Sequence, residues 1–305
     1  MQLKDKNVVV VGLGRTGLAV ARFLHQQGAR IMATDTADEA ALGDTAAQLR
    51  DMGIEVELGA HSSRVFQESD LIVVSPGVSH TIAPIARARS RGVDVVGEVE
   101  LAARFIRAPI VAVTGTNGKT TTTELLGQML QNSGIRTFVG GNIGNPLIEY
   151  VSSGQKEDLV VAEISSFQLD NMYDFKADIA VLLNITPDHL DRYGYNIQNY
   201  VDSKFRIYKN LSEDDYFIYC SDDEITISEL ERIVMRAKQL EFSQEKKVKE
   251  GAYIENDTMI VNVNKSEMRV PLSELALKGK HNAYNSMAAS IASRILDIKK
   301  EVIRE

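Results

Sequence analysis

Residues 110–126 read IVAVTGTNGKTTTTELL: an apolar strand, a glycine turn carrying a lysine, then a helix start. The turn Gly115-Thr116-Asn117-Gly118-Lys119-Thr120 is not a full Walker A sequence, which would need glycine at Val113. Its mechanical parts are nonetheless in order. Backbone N–H groups of such a turn can face phosphate oxygens, and the helix N-terminus adds its dipole. Lys119 can neutralise β/γ-phosphate charge, and the Thr120 hydroxyl can ligate Mg²⁺. The alternative is a turn whose lysine and threonine are merely solvated. Strand, turn, Gly-Lys-Thr and helix in sequence favour a site for ATP.

Working outward, the N-terminal part repeats the plan. VVVVG from Val8 is an all-apolar run, as in a central parallel strand covered on both faces. It leads into Gly12-Leu13-Gly14-Arg15-Thr16-Gly17, a G-x-G-x-x-G turn, and a helix pattern over 14–27. Further strands are expected at 30–34, 54–58, 71–75 and 93–96, with a helix over 83–91. Asp35 closes the second strand. An NAD site with Asp35 on the ribose, a turn kept for backbone reasons alone, and a site for another diphosphate nucleotide such as a UDP-sugar all fit. By itself the motif favours NAD.

Beyond the second turn, strands are expected at 159–163, 179–184 and 216–219, helices at 120–131, 197–211 and 281–296. An antiparallel hairpin over 252–270 would turn at Asn256-Asp257. Alternating strands and helices indicate α/β architecture: a Rossmann-like parallel-sheet domain over 1–107, then a P-loop α/β domain over 108–305 with a small hairpin region. Glu163 ends a strand, where ligands gather at parallel sheets. Asp188 and His189 follow another strand and should reach the same edge. His25, His61 and His80 read as surface or satisfied-core histidines.

Composition narrows the class. The chain has 305 residues, 44% hydrophobic and 25% charged, with net charge −8. That balance disfavours a general nucleic-acid binder. Cys220 is the only cysteine, which excludes an intrachain disulfide and a Cys-rich zinc site. A buried structural thiol is expected there. Neither a secretory leader pattern nor a spanning apolar run is visible, so a cytoplasmic protein acting away from membranes is expected, as a monomer.

GTNGKTTT, EISSFQL (163–169), NITPDHLDRYG (184–194), the lysine of YVDSKFRIY (200–208) and GKHNAYNSMAA (279–289) together resemble the Mur ligase family. GLGRTGLAVARFL, SPGV (75–78) and GGNIGNP (140–146) extend the resemblance over the whole chain. It implies ATP-dependent ligation of a carboxylate to an amine in peptidoglycan synthesis. The substrates would be UDP-N-acetylmuramoyl-L-alanine and D-glutamate, joined through an acyl phosphate. The NAD oxidoreductase reading then yields, and a non-catalytic nucleotide-binding module remains the other alternative.

The resemblance also assigns roles. Gly14, Arg15, Thr16, Asp35, Thr36, Ser75 and Gly77 would surround the uridine diphosphate, with Asn142 near its phosphates. Gly115, Thr116, Asn117, Gly118, Lys119, Thr120 and Thr121 would hold ATP, with Asn282 and Asn285 at the adenine. Thr120 and Glu163 would serve one Mg²⁺, His189 and Lys204 a second. Lys119, His189 and Lys204 would be the catalytic set. An ammonium cannot ligate a cation, so the family pattern implies a carbamylated Lys204, carrying −1 in place of +1. The family has a third domain that binds the incoming amino acid. The chain ends one expected helix beyond HNAYN, so a truncated form unable to complete ligation is expected.

Overall fold

The computed structural model describes residues 1–79 and 81–297. His80 lies outside the described residues. The chain divides into two compact units, and the division is not a single cut. The first holds Met1–Ile106 together with Asn145–Gln155 and Asp170–Phe175; the second holds Arg107–Gly144, Lys156–Leu169 and Lys176–Glu305.

In the first unit the elements are β1 (Asn7–Val11), α1 (Arg15–Gln26), β2 (Arg30–Asp35), α2 (Glu39–Leu42), α3 (Thr45–Asp51), β3 (Glu55–Leu58), β4 (Leu71–Val74), α4 (Ala83–Ser90), β5 (Asp94–Gly97) and α5 (Glu98–Ala103). The five strands form one parallel sheet in the order β3-β2-β1-β4-β5. Val8, Val9, Val10 and Val11 are all buried because β1 is the middle strand, covered on both faces. Helix α1 buries Val20, Phe23 and Leu24 on one side, the stripe expected of a helix on a sheet.

The second unit begins with β6 (Ile110–Thr114) and α6 (Lys119–Asn132), then β7 (Thr137–Gly141). The chain next visits the first unit with α7 (Leu147–Ser153) and returns as β8 (Leu159–Glu163) and α8 (Ser166–Leu169). There follow β9 (Ile179–Leu182), α9 (Ile197–Phe205), β10 (Tyr216–Cys220), α10 (Glu224–Leu230), β11 (Lys238–Ser243), β12 (Gly251–Glu255), β13 (Thr258–Val263), β14 (Ser266–Pro271) and α11 (Lys280–Ile295). These strands make a nine-stranded sheet, β14-β13-β12-β11-β10-β9-β6-β8-β7. Helices α6 and α11 supply Leu126, Leu130, Met287 and Ile291 to a core shared with Val111, Val161 and Phe242.

Three features differ from the sequence reading. The hairpin is a three-stranded meander whose first strand runs parallel to β11. Its second turn, Asn264-Lys265, takes positive φ at both residues, as Asn256-Asp257 does. A lysine in that conformation is a weak signal. Strands β7 and β11 were not expected: β7 is half-buried and ends in two glycines, and β11 opens with two exposed polar residues. The helix expected over 197–211 stops at Phe205 and tightens into a 3₁₀ turn, Arg206–Tyr208.

Candidate active site

In the first unit, the loops after β1, β2 and β4 lie on neighbouring strands, so Gly14, Arg15, Thr16, Asp35, Thr36, Ser75 and Gly77 gather at one sheet edge. Two glycines are required by close approach. A Cβ on Gly17 would stand 1.9 Å from the Gly12 carbonyl oxygen, and Gly12 itself has φ +87°. Gly14 has nothing within 4 Å of a Cβ position and is exposed, which leaves space for a ligand. The Asp35 carboxylate accepts from the Leu13 N–H at 2.6 Å and the Ala37 N–H at 2.8 Å. It therefore braces two loops at once. Ser75 Oγ donates to the Gly12 carbonyl at 2.8 Å, and the Arg15 guanidinium engages Asn145 and, at 4.0 Å, Glu149. His61 shares a 2.9 Å hydrogen bond with Thr34 Oγ1; burial lowers its pKa against the pull of Asp35 and Glu57. It is a satisfied histidine, and His25 is exposed.

In the second unit the turn Gly115–Lys119 joins β6 to α6. Gly115 (φ +152°) packs where a Cβ would meet Leu183 at 2.9 Å, and Gly118 (φ +84°) where it would meet Asn285 Oδ1 at 2.2 Å. The positive φ favours glycine at both points, and Leu183 crowds the first. Asn285 Nδ2 reaches Asn282 Oδ1 at 3.3 Å, so the two expected adenine contacts sit together beside the turn. The Asn117 N–H donates to Asn184 Oδ1 at 2.9 Å, and Thr116 Oγ1 contacts the Thr186 backbone and Tyr200 OH. Thr121 is half-buried in the first turn of α6.

Polar groups converge next to the turn. Thr120 Oγ1 donates to Glu163 Oε2 at 2.8 Å, and Asn142 Nδ2 donates to Glu163 Oε1 at 2.8 Å. Glu163 is 1% exposed, so both of its oxygens are satisfied in a shielded place. Asn142, expected beside the diphosphate, thus stands in the second unit against this carboxylate. Two lysines meet one acceptor: Lys119 Nζ lies 3.0 Å and Lys204 Nζ 2.7 Å from the Gly115 carbonyl oxygen. Lys204 is 1% exposed and lies 4.7 Å over the Tyr200 ring. Burial and the Lys119 charge push the Lys204 pKa down to about 7, against the pull of Asp188. Burial also lowers Lys119, opposed by Glu163 and Asp188.

His189 occupies a left-handed backbone conformation, φ +48°, with its Nε2 3.5 Å from Asp188 Oδ2 and its ring 5.1 Å from Phe167. Its side chain is half exposed. Among the described residues, no three His, Cys, Asp or Glu side chains gather as a metal-ligating group. The hydroxyl and carboxylate oxygens of Thr120 and Glu163 nonetheless suit Mg²⁺, which takes one or two carboxylates together with substrate phosphates. Lys204 as an amine does not. The sequence reading missed Tyr200, although its i, i+4 spacing from Lys204 on α9 places the two on one helix face. It also gave no role to Asn184 or Thr186, which tie the β9 loop to the turn. Cys220 is buried, its thiol pushed up to about 12 by burial.

Comparison with known proteins gives the family. Residues 113–293 match the family description Mur ligase middle domain, and residues 6–97 match Mur ligase MurD-like, N-terminal domain. The chain belongs to the Mur ligase family. Within it, the chain is 48% identical over 296 residues to UDP-N-acetylmuramoylalanine–D-glutamate ligase of Geotalea uraniireducens (strain Rf4), covering 97% of this chain and 64% of that one. It is 46% identical to the enzyme of that name from Pelobacter propionicus, covering 98% and 66%. The chain therefore spans about two thirds of the length of these relatives. Among solved structures, UDP-N-acetylmuramate:L-alanyl-gamma-D-glutamyl-meso-diaminopimelate ligase from Neisseria meningitides superposes with TM-score 0.63 at 17% identity, covering 98% of this chain and 96% of that one. UDP-N-acetylmuramate-alanine ligase MurC from Thermotoga maritima gives TM-score 0.55 at 23% identity, covering 98% and 66%. They share the fold. Among the described residues, no helix is long and apolar enough to cross a membrane.

Proposed function

We propose that this chain is the UDP-substrate- and ATP-handling part of an enzyme that adds D-glutamate to UDP-N-acetylmuramoyl-L-alanine, a cytoplasmic step of peptidoglycan synthesis. The observation that carries the reading is the cluster beside the Gly115–Lys119 turn: Thr120, Glu163 and Asn142 in one hydrogen-bonded chain, with buried Lys204 and half-buried Lys119 on one carbonyl. In the proposed reaction the substrate carboxylate oxygen attacks the γ-phosphorus of ATP, giving an acyl phosphate and ADP. The amine of D-glutamate then attacks the carbonyl carbon and phosphate leaves. No protein nucleophile is required.

Turn amides and Lys119 would hold the phosphates and offset the charge that spreads over the transferring group. Asn282 and Asn285 would border the adenine. Thr120 and Glu163 would hold one Mg²⁺, which supplies charge neutralisation at the phosphates when bound. For a second ion, His189 and Lys204 fit only after the lysine becomes a carbamate. The depressed basicity of Lys204 supports that conversion, because only the neutral amine adds CO₂, releasing a proton as the carbamate forms. The Gly14–Gly17 turn, with Asp35, Thr36, Ser75 and Gly77 around it, would take the uridine diphosphate. The part that reads D-glutamate is proposed to lie in the third of the relatives' length that this chain does not span. D-glutamate-dependent phosphate release by this chain would overturn that last point.

The test is calorimetric titration with UDP-N-acetylmuramoyl-L-alanine, with NAD in parallel. Saturable binding of the former alone is expected. Binding of NAD in its place would refute the assignment and restore the dinucleotide reading of Gly12–Gly17.

A further inference from the structure

The loop that follows β10 in the second unit carries two half-buried acids, Asp222 and Asp223, to which the proposed reaction gives no role. Asp223 works in two directions. Its Oδ1 accepts the Thr226 N–H at 2.8 Å and so caps α10. Its Oδ2 accepts the Ile185 N–H, in the loop after β9, at 2.9 Å. Asp222 holds their own loop in place: it accepts from Ser243 Oγ, from the Gln244 N–H at 2.7 Å and from Tyr284 OH at 2.9 Å. The Asp223 carboxylate is therefore presented from a fixed base.

Ile185 stands where the strand ladder ends. The Leu183 N–H donates to the Thr114 carbonyl at 3.0 Å and the Thr116 N–H to the Asn184 carbonyl at 2.9 Å. Beyond Asn184 no backbone–backbone bond ties the loop to β6 or to the turn after it, among the described residues. Yet residues 184–186 clamp that turn. Asn184 is joined twice to Asn117, Oδ1 accepting its N–H at 2.9 Å and Nδ2 donating to its carbonyl at 3.0 Å. The Thr186 N–H donates to Thr116 Oγ1 at 3.0 Å, and that hydroxyl donates to the Thr186 carbonyl at 3.1 Å. The loop in turn is held from outside by the Asp223 carboxylate and by the Ile185 side chain, which is 1% exposed.

We propose that Asp223 is a positioning residue for the Gly115–Lys119 turn: its carboxylate sets the path of residues 184–186, and these set the orientation of Thr116 and Asn117. For the consequence at ATP the inference rests on the function proposed above; the brace on the turn does not. A carboxylate is suited to the task, because a charge-assisted bond to a backbone N–H is stronger than a neutral one. Donors aimed before an anion arrives need no reorganisation when it binds, so a brace on the turn is read directly in phosphate affinity.

The experiment compares the full chain with Asp223→Ser and Asp223→Ala. Serine caps a helix about as well as aspartate, but its one oxygen serves Thr226 and leaves no acceptor for Ile185; alanine loses both bonds. Amide exchange followed by mass spectrometry should rise by about threefold to tenfold in both variants, in 114–119 as well as in 183–187, while 283–292 of α11 keeps its parental rate. Mg·ADP affinity by calorimetry should fall by about fivefold to tenfold, and alike in the two variants. A role confined to capping α10 would lower it in Asp223→Ala alone, and that result overturns the proposal. Faster exchange in 183–187 with 114–119 unchanged also overturns it, since the buried Ile185 side chain and the end of the ladder would then suffice. Should Asp223→Ser not fold, Asp223→Asn takes its place: asparagine also caps with its single oxygen and sets its NH₂ against Ile185. The same changes are expected of it, and parental values refute the brace. If the parent binds no Mg·ADP, the proposed function fails, and exchange in 114–119 alone judges the brace.

Discussion

Replacing Glu98 by glutamine should make the first unit more stable at pH 8 while changing little at pH 5. The carboxyl is 1% exposed; one oxygen accepts the Ile148 N–H and the other, Oε2, has no hydrogen-bond partner among the described residues. Burial raises its pKa from an ordinary 4.5 to about 7, with the Glu149 charge on α7 adding to the rise and the Ile148 and Leu147 amides opposing it. The folded state thus binds the proton more tightly than the unfolded chain. Between pH 4.5 and 7 it holds more protons than the unfolded state, so stability falls as pH rises through that window and stays lower above it. A rise from 4.5 to about 7 corresponds to a loss of roughly 3 kcal/mol. Against a total of about 5–15 kcal/mol for a domain, that is a large share.

Glutamine has the shape of the protonated carboxyl, can still accept from Ile148, and does not ionise. The variant should track the parent at pH 5 and exceed it by up to about 3 kcal/mol at pH 8. Two units can unfold separately, so the readout must be confined to the first. Amide exchange of β1 and β4 in graded urea, at pH 5, 6, 7 and 8, reports it directly. Parallel pH profiles for parent and variant would refute the reasoning, as would a variant less stable than the parent at pH 8.

Other perturbations follow from the same geometry. Gly118→Ala places a methyl group 2.2 Å from Asn285 Oδ1 at a residue with φ +84°, so Mg·ATP affinity measured by calorimetry should fall at least tenfold; unchanged affinity would show that the turn relaxes freely. Gly17→Ala drives a methyl group to 1.9 Å from the Gly12 carbonyl, and thermal unfolding of the first unit should drop by an amount equivalent to about 2–4 kcal/mol. For Lys204, whose folded pKa of about 7 lies below the unfolded value, the unfolded chain holds the extra proton between pH 7 and 10.5. Stability from this group therefore grows as pH rises through that window, and Lys204→Met should compare best with the parent below pH 7 in urea titrations. With ¹³C-bicarbonate, a carbamate resonance is expected at pH 8, weaker at pH 6 and absent from Lys204→Met; a signal that survives the substitution belongs elsewhere.

The sequence alone determined the class of fold and the location of the two glycine turns after β1 and β6. Apolar runs ending in glycine turns, VVVVG into GRTG and IVAVTG into TNGKT, are local patterns whose meaning depends on few distant contacts. The place of Glu163 at the C-terminal end of a parallel strand was legible for the same reason. The second hairpin turn and strand β7 were not legible, because a lysine with positive φ and a half-buried glycine-ended strand carry little local preference. Tertiary structure alone decided that Asn142 bonds to Glu163, that Lys119 and Lys204 meet at one carbonyl, and that α5 grips two distant segments. These arrangements depend on loop closure across 21, 85 and up to 75 residues of chain. Only the packed sheet makes such closures favourable, by offsetting their entropy with burial. No pattern in the string records which buried acid will find which amide.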